Sequence, residues 1–234
     1  MEERGMILSF NPERIDSNYV KLIQAPFEFF TIEETIEEKE LHPTYGERPA
    51  HQDVLVIKND NLDIDTILEY SKDKEHTNSI QLMKLSKCCD GIFLRIGITG
   101  EAYIDVFELK DTISDSTWYG KRNKNGTMKG SAKEQLEAGV LIALTIANII
   151  GISKIRAINC TIAYSFERND IANSSPISKK TRVGMAVKPW KKKRADLLEG
   201  ETKYGQCLDI NLRAIKLNKE SNQQIYSEHI SFDF

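Results

Sequence analysis

The sequence predicts an α/β fold, with a mixed central sheet flanked by helices. Three observations carry this prediction. Residues 90–111, DGIFLRIGITGEAYIDVFELKD, read as two apolar strands joined by a glycine-containing turn. Residues 131–151, SAKEQLEAGVLIALTIANIIG, carry the clearest helical pattern in the chain. Residues 154–166, KIRAINCTIAYSF, alternate as a further strand. A hairpin followed by a crossover helix and another strand makes a sheet with both antiparallel and parallel neighbours.

The remaining elements are taken in chain order. Residues 1–50 are irregular in pattern, and TIEETIEEKEL (31–41) reads as a short helix or an acidic loop. HPTYGERPAHQ (42–52), with two prolines and a glycine, is loop-like. DVLVIKN (53–59) is a β-branched run between polar ends and predicts a strand. LDIDTILEYSK (62–72) places Ile64, Ile67, Leu68 and Tyr70 near helical spacing and predicts a helix. SIQLMKLSK (79–87) reads as a strand or the tail of that helix. DTISDSTWYGKRNKNGTMKG (111–130) is polar and predicts a long loop of the kind that carries function or disorder. The helix that follows has Ser131 as N-cap with Glu134 three residues on, and Gly151 closes it. Its second half is apolar nearly all round, which predicts burial against a sheet. A loop follows residue 166, then a basic cluster running into a short helix, and QCLDINLRAIKLN (206–218) predicts one more strand.

The chain has 234 residues and is 40% hydrophobic, enough for one domain with a real core. No run of 18 apolar residues is present and MEERGMILSF lacks the pattern of a secretory signal, so no membrane association is expected. Cys88, Cys89, Cys160 and Cys207 form no CxxC pair, and the expectation is reduced thiols in a cytoplasmic protein. Charge is divided unevenly. Residues 1–120 hold 12 Lys or Arg against 24 Asp or Glu, and residues 121–234 hold 20 against 11. A basic second half suits a polyanionic partner.

The hairpin gathers charge at one end. Residues two apart on a strand share a face, so Glu108 and Lys110 point the same way and Phe107 and Leu109 point the other. With a tight turn centred on Thr99 and Gly100, residue 98 pairs with 101 and Asp90 lies opposite Leu109, between Glu108 and Lys110. A bulge shifts this register by a residue. Two close carboxylates repel unless a cation sits between them. A hard divalent ion, with waters and phosphate completing its shell, resolves that conflict. With a lysine beside it, the set fits metal-assisted phosphodiester hydrolysis.

Asp90, then Glu108-Leu109-Lys110 ending the next strand, then a helix bearing Gln135, resembles the PD-(D/E)XK nuclease superfamily. The resemblance covers roughly residues 62–166 and departs at Cys89, where those proteins usually have proline. It implies a restriction-endonuclease-like core of helix–strand–strand–strand–helix–strand, here residues 61–166, with an N-terminal elaboration over 1–60 and a basic C-terminal elaboration over 167–234. It also implies that Asp90, Glu108 and the main-chain carbonyl of Leu109 bind Mg²⁺ or Mn²⁺, that Lys110 assists the attacking water, and that Gln135 helps. The alternative for Gln135 is a polar residue in a helix first turn. A further acid on the first helix is common in the superfamily, and Glu69 is the candidate. Asp105, on the opposite face from Glu108, is expected to be a solvent-facing or turn-side residue and not a ligand.

The segment SKKTRVGMAVKPWKKKRAD (178–196) holds eight Lys or Arg around Trp190. Lys188, Lys191, Lys192, Lys193 and Arg194 there, with Lys121, Arg122 and Lys124 in the long loop, are the candidate phosphate contacts. Trp190 either stacks on a base or packs under the lysine stems, and the alternative is a solvated loop whose tryptophan anchors it to the core. Other chemistry finds no support. There is no P-loop, no HExxH and no GxSxG, and GITGEA (97–102) sits in a hairpin turn. His42, His51, His76 and His229 read as surface or core residues.

The expectation is a Mg²⁺-dependent endonuclease acting on DNA in a prokaryotic restriction or phage-defence setting, working as a homodimer or with an ATPase or helicase partner. The alternative is a non-catalytic nucleic-acid-binding or scaffold subunit of the same fold. RNA as substrate stays open.

Overall fold

The computed structural model describes residues 10–15, 17, 20–24, 29–42, 46–59, 64–70, 88–122, 128–129, 131–152, 154–167, 188–191, 210–221 and 224–232. In chain order the strands are β1 (Val20–Gln24), β2 (Phe29–Ile36), β3 (Lys39–His42), β4 (Gly46–Arg48), β5 (His51–Lys58), β6 (Ile64–Tyr70), β7 (Gly91–Gly97) and β8 (Ala102–Ile113). A short helix α1 (Asp115–Trp118), strands β9 (Lys121–Arg122) and β10 (Met128–Lys129), and the long helix α2 (Ala132–Ile150) follow. Then come β11 (Ile155–Glu167), β12 (Ile210–Lys216), β13 (Asn218–Lys219) and β14 (Ile225–Ser231).

The expected hairpin–helix–strand unit forms the centre of a six-stranded sheet in the order β1-β6-β7-β8-β11-β12. Strands β1, β6, β7 and β8 pair antiparallel in turn, whereas β11 runs parallel to both β8 and β12. The sheet is therefore mixed, and α2 is the crossover that lets β8 and β11 lie parallel. Its outer strands β1 and β12 come from the segments expected to be elaborations.

Strand β6 replaces the helix expected over 62–72. Ile67 and Leu68 are both fully buried, Leu68 in the core beneath α2 and Ile67 in the core on the opposite face. A strand covered on both faces loses its two-residue alternation, and the resulting apolar run imitates helical spacing. The acidic segment 31–41 is likewise extended. Glu33 and Thr31 alternate with the buried Ile32 and Phe30 along β2.

Among the described residues, helix covers one face of the sheet and not the other, where the expected layering placed helices on both. The α2 face is covered by that one long helix, and the other face by a second, four-stranded sheet in the order β13-β14-β5-β2. Strands β2 and β5, from the segment expected as an N-terminal elaboration, thus supply half of a packing layer, and the C-terminal strands supply the rest. Phe30, Ile32, Leu55, Ile57 and Ile230 of the second sheet meet Phe93, Phe107, Leu109 and Ala163 of the first. The rings of Phe30, Phe93, Phe107 and Phe232 stack edge-on at centroid distances of 5.2 to 6.2 Å. Part of the segment expected as a loop, 111–130, takes regular structure: β8 runs on to Ile113, and Ser114 caps α1, whose Trp118 is fully buried.

Helix α2 keeps the capping box read from its sequence. Ser131 Oγ accepts from Glu134 N at 3.0 Å, Glu134 Oε2 accepts from Ser131 N at 3.2 Å, and Gly151 ends the helix at φ 86°. Gly139 sets how closely α2 approaches the sheet. A Cβ there would stand 2.5 Å from Cys89 Sγ and 2.6 Å from a Val106 methyl. Gly139→Ala is expected to lower the urea midpoint. The overpacking costs about 1–3 kcal/mol, and the gain in helix propensity of about 1 kcal/mol offsets only part of it.

Candidate active site

The β7–β8 hairpin turns through three residues. Gly97 N donates to Glu101 O at 2.9 Å and Gly100 N to Gly97 O at 2.8 Å, with Gly100 at φ 77°. This is the loop in which a turn is followed by a left-handed glycine, rather than the two-residue turn expected. It moves the register by one. Gly91 pairs with Phe107, so Asp90 stands opposite Glu108 and not opposite Leu109.

The charged cluster survives this shift. Asp90 N donates to Phe107 O at 2.9 Å, and Asp90 Oδ2 accepts from Leu109 N at 2.7 Å. The carboxylate is thereby fixed across the end of β8. Glu108 is fully buried and follows Ile104 and Val106 on the α2 face. Lys110 Nζ donates to Glu108 Oε1. Burial pushes the Lys110 ammonium down, but Glu108, then Asp90 and Glu34, outweigh it and hold its pKa above the ordinary lysine value. Lys110 is therefore a cation at neutral pH. In this state it orients and neutralises, and does not take a proton.

Two further residues frame the cluster. Gln135 Nε2 donates to Cys88 O at 3.4 Å, so the helper read on α2 grips the backbone just ahead of Asp90. Cys89 lies fully buried between α2 and the sheet. Burial above all, with Cys88 and then Glu108 and Asp90 adding negative potential, pushes its thiol well up. It is an inert packing thiol.

The donor set has the chemistry of a hard-cation site. Asp90 and Glu108 offer carboxylate oxygens from adjacent strands. Leu109 turns its N–H towards Asp90, and its carbonyl shares that side of the strand. Among the described residues no three His, Cys, Asp or Glu side chains form a group that could hold a metal ion. Mg²⁺ and Mn²⁺ do not require one, since one or two carboxylates with water and phosphate suffice. The residues present fit such an ion and do not fit a zinc site.

Glu69 does not join the cluster. It lies on β6, part-exposed, with Lys21 Nζ 3.8 Å from its carboxylate. A third acid that reaches Lys110 electrostatically, after Glu108 and Asp90, is Glu34 of β2, which sequence spacing could not indicate because it belongs to another sheet. A second polar layer, also unforeseen, lies between the sheets. The buried His51 ring has Nε2 3.4 Å from Asp53 Oδ1 and 3.7 Å from Asp111 Oδ1, and Ser165 Oγ donates to Asp53 Oδ1. It ties the stretch just beyond Lys110 to the second sheet. Asp105 is fully buried, not solvent-facing. Its carboxylate takes Arg95 Nε at 2.7 Å and Asn159 Nδ2 at 2.9 Å, because the face opposite Glu108 is covered by the second sheet.

Of the basic residues, Lys121 and Arg122 form β9, paired antiparallel with Met128–Lys129 in β10. Lys124, Lys192, Lys193 and Arg194 lie outside the described residues, as do 79–87 and Cys207. Trp190 is 1% exposed and belongs to the core under α2, so its ring is not available to stack on a base. Lys188 Nζ lies 5.5 Å from the ring centre, and Lys191 Nζ donates to Glu167 Oε2 at 2.7 Å. These residues border a cleft of about 240 Å³ lined by Ile113, Ser114, Asp115, Ser116, Glu167, Lys188 and Trp190.

Comparison with protein-family models, curated proteins and solved structures finds no match to this chain. Among the described residues no helix is long and apolar enough to cross a membrane.

Proposed function

We propose that this chain is a metal-dependent nuclease, an endonuclease that hydrolyses phosphodiester bonds in DNA in the setting of prokaryotic restriction or phage defence. The observation that carries the reading is the cluster itself: a buried Glu108 held by Lys110, with Asp90 fixed across the same strand end by the Leu109 N–H. An isolated buried carboxylate–lysine pair adds little to stability over apolar residues of the same shape, which leaves chemistry as the better reason for it. The three paired strands β6, β7 and β8, followed after the short α1, β9 and β10 by the long helix α2 and then β11, support the same reading.

Asp90, Glu108 and the Leu109 carbonyl would hold the divalent cation, which supplies Lewis-acid stabilisation of charge developing on the phosphoryl oxygens. Lys110 carries its proton and lies within reach of the same oxygens, adding a fixed positive charge beside them. Gln135 and the Gly139 contact keep the 88–90 segment, and with it the Asp90 carboxylate, in place. Water attacks phosphorus and the 3′-oxygen leaves with a proton, which yields 5′-phosphate and 3′-hydroxyl ends.

The test is incubation of supercoiled plasmid with the protein in Mg²⁺, Mn²⁺ or EDTA, beside the Glu108→Ala protein. Nicking or linearisation that requires metal and is lost in Glu108→Ala is the expected outcome. Cutting that survives Glu108→Ala overturns the site. DNA retention with no cutting in any metal supports the alternative, a non-catalytic nucleic-acid-binding subunit.

A further inference from the structure

We propose that the cleft at the end of β8 is a subsite for one nucleotide of the bound strand, with Lys188 as its phosphate contact. This rests on the reading of the chain as a nuclease and names a second point at which it grips its substrate. The cleft begins at Ile113, three residues beyond Lys110 and so about 10 Å along the strand. DNA rises about 3.4 Å per nucleotide, so a strand passing Glu108 and Lys110 reaches the cleft about three nucleotides on.

Three features give it the chemistry of a nucleotide site. The first is size. At about 240 Å³ it is small for a drug-sized ligand and roomy for a lone phosphate. The second is its donor set. Ser114 and Ser116 present hydroxyls 3.0 Å apart, and Lys188 presents an ammonium. The third is charge. Glu167 is already matched by Lys191 at 2.7 Å, whereas Lys188 stands 3.8 Å from the largely exposed Asp115. That separation is beyond a hydrogen bond, and water solvates Asp115 when Lys188 turns to a phosphate. The indole under Lys188 serves as a platform that holds the ammonium, not as a stacking surface for a base.

The experiment is a fluorescence titration of the Glu108→Gln protein in EDTA, following its tryptophans. The probes are a deoxynucleoside 5′-monophosphate and inorganic phosphate. Because neither metal nor cutting is involved, its outcome does not depend on whether the chain is a nuclease. The expected result is a saturable change with the nucleotide, at least tenfold weaker in a protein also carrying Lys188→Ala, as for loss of one charge-assisted hydrogen bond. Inorganic phosphate should compete weakly. A Ser116→Ala protein, with unchanged melting, should lose part of the affinity. No saturable change, or an affinity unaffected by both Lys188→Ala and Ser116→Ala, overturns the subsite. With a duplex oligonucleotide as ligand, Lys188→Ala should reduce the slope of log affinity against log salt by about 0.9, the value for one phosphate contact, and an unchanged slope also overturns it.

Discussion

On the proposed reading as a nuclease, Lys110→Met protein is expected to retain DNA and cut it about 10²–10³-fold more slowly, the range for loss of one charge-stabilising donor. Gel retardation in EDTA and plasmid cutting in Mg²⁺ measure the two properties separately. Retention should persist because Lys110 is one cation among many in the chain, whereas cutting depends on a charge at one point. A change in stability accompanies the loss. Glu108 is fully buried, and removing the ammonium that donates to it leaves a buried carboxylate without that charge. Lys110→Arg keeps the charge and should restore the melting temperature without restoring the rate, since a planar guanidinium cannot replace a compact ammonium at a fixed position. The pH dependence follows from the same group. Its folded pKa lies above the unfolded value, so its contribution to stability is complete at neutral pH and falls only as pH rises through the alkaline range above an ordinary lysine. Thermal melts between pH 7 and pH 9 should therefore show no loss traceable to Lys110.

The largest effect on stability is expected at Asp105. Its carboxylate joins a polar chain that crosses four neighbouring strands: Arg95 of β7, Asp105 of β8, Asn159 of β11 and Asn211 of β12. Arg95 also donates to Phe232 O at 3.3 Å and lies between the rings of Tyr103 and Phe232, so the C-terminal segment is fastened through the same guanidinium. Asp105→Ala strands a buried arginine, at a cost of about 3–5 kcal/mol. For a chain of 234 residues that lowers the melting temperature by about 6–20 °C. Arg95→Met combined with Asp105→Leu should recover much of the loss, because replacing both members leaves no lone charge. A double mutant no better than Asp105→Ala would mean that the aromatic stacking on Arg95, and not the ion pair, holds this region.

The two cases differ in how far the sequence revealed them. Asp90, Glu108 and Lys110 were legible because they lie within 21 residues and are related by strand parity and one turn. Even a one-residue error in the turn left them together, since a carboxylate at the end of β7 reaches either neighbour on β8. Asp105 was misread because the sequence shows that it opposes Glu108 but not what covers its side of the sheet. Trp190 was legible as an aromatic among lysines that either meets the substrate or anchors its loop to the core, and only the fold decided for the core, because the elements its segment packs on, α1 and β12, are not its neighbours in sequence.

Local chemistry alone determined several elements of this protein. The capped helix α2, the β7–β8 hairpin and strand β11 follow from a Ser-x-x-Glu cap, a glycine turn and β-branched alternation, each complete within a few residues. The site's charged triplet belongs with them. Only the tertiary structure decided that β6 is a strand, that β2 and β5 join the C-terminal strands in a second sheet, and that Glu34, His51 and Asp53 sit behind the site. The physical reason is that periodicity records how many faces of a segment are buried, not what buries them. A strand enclosed on both faces loses its alternation, and pairing between β5 and β14 joins residues some 170 positions apart that share no local signal.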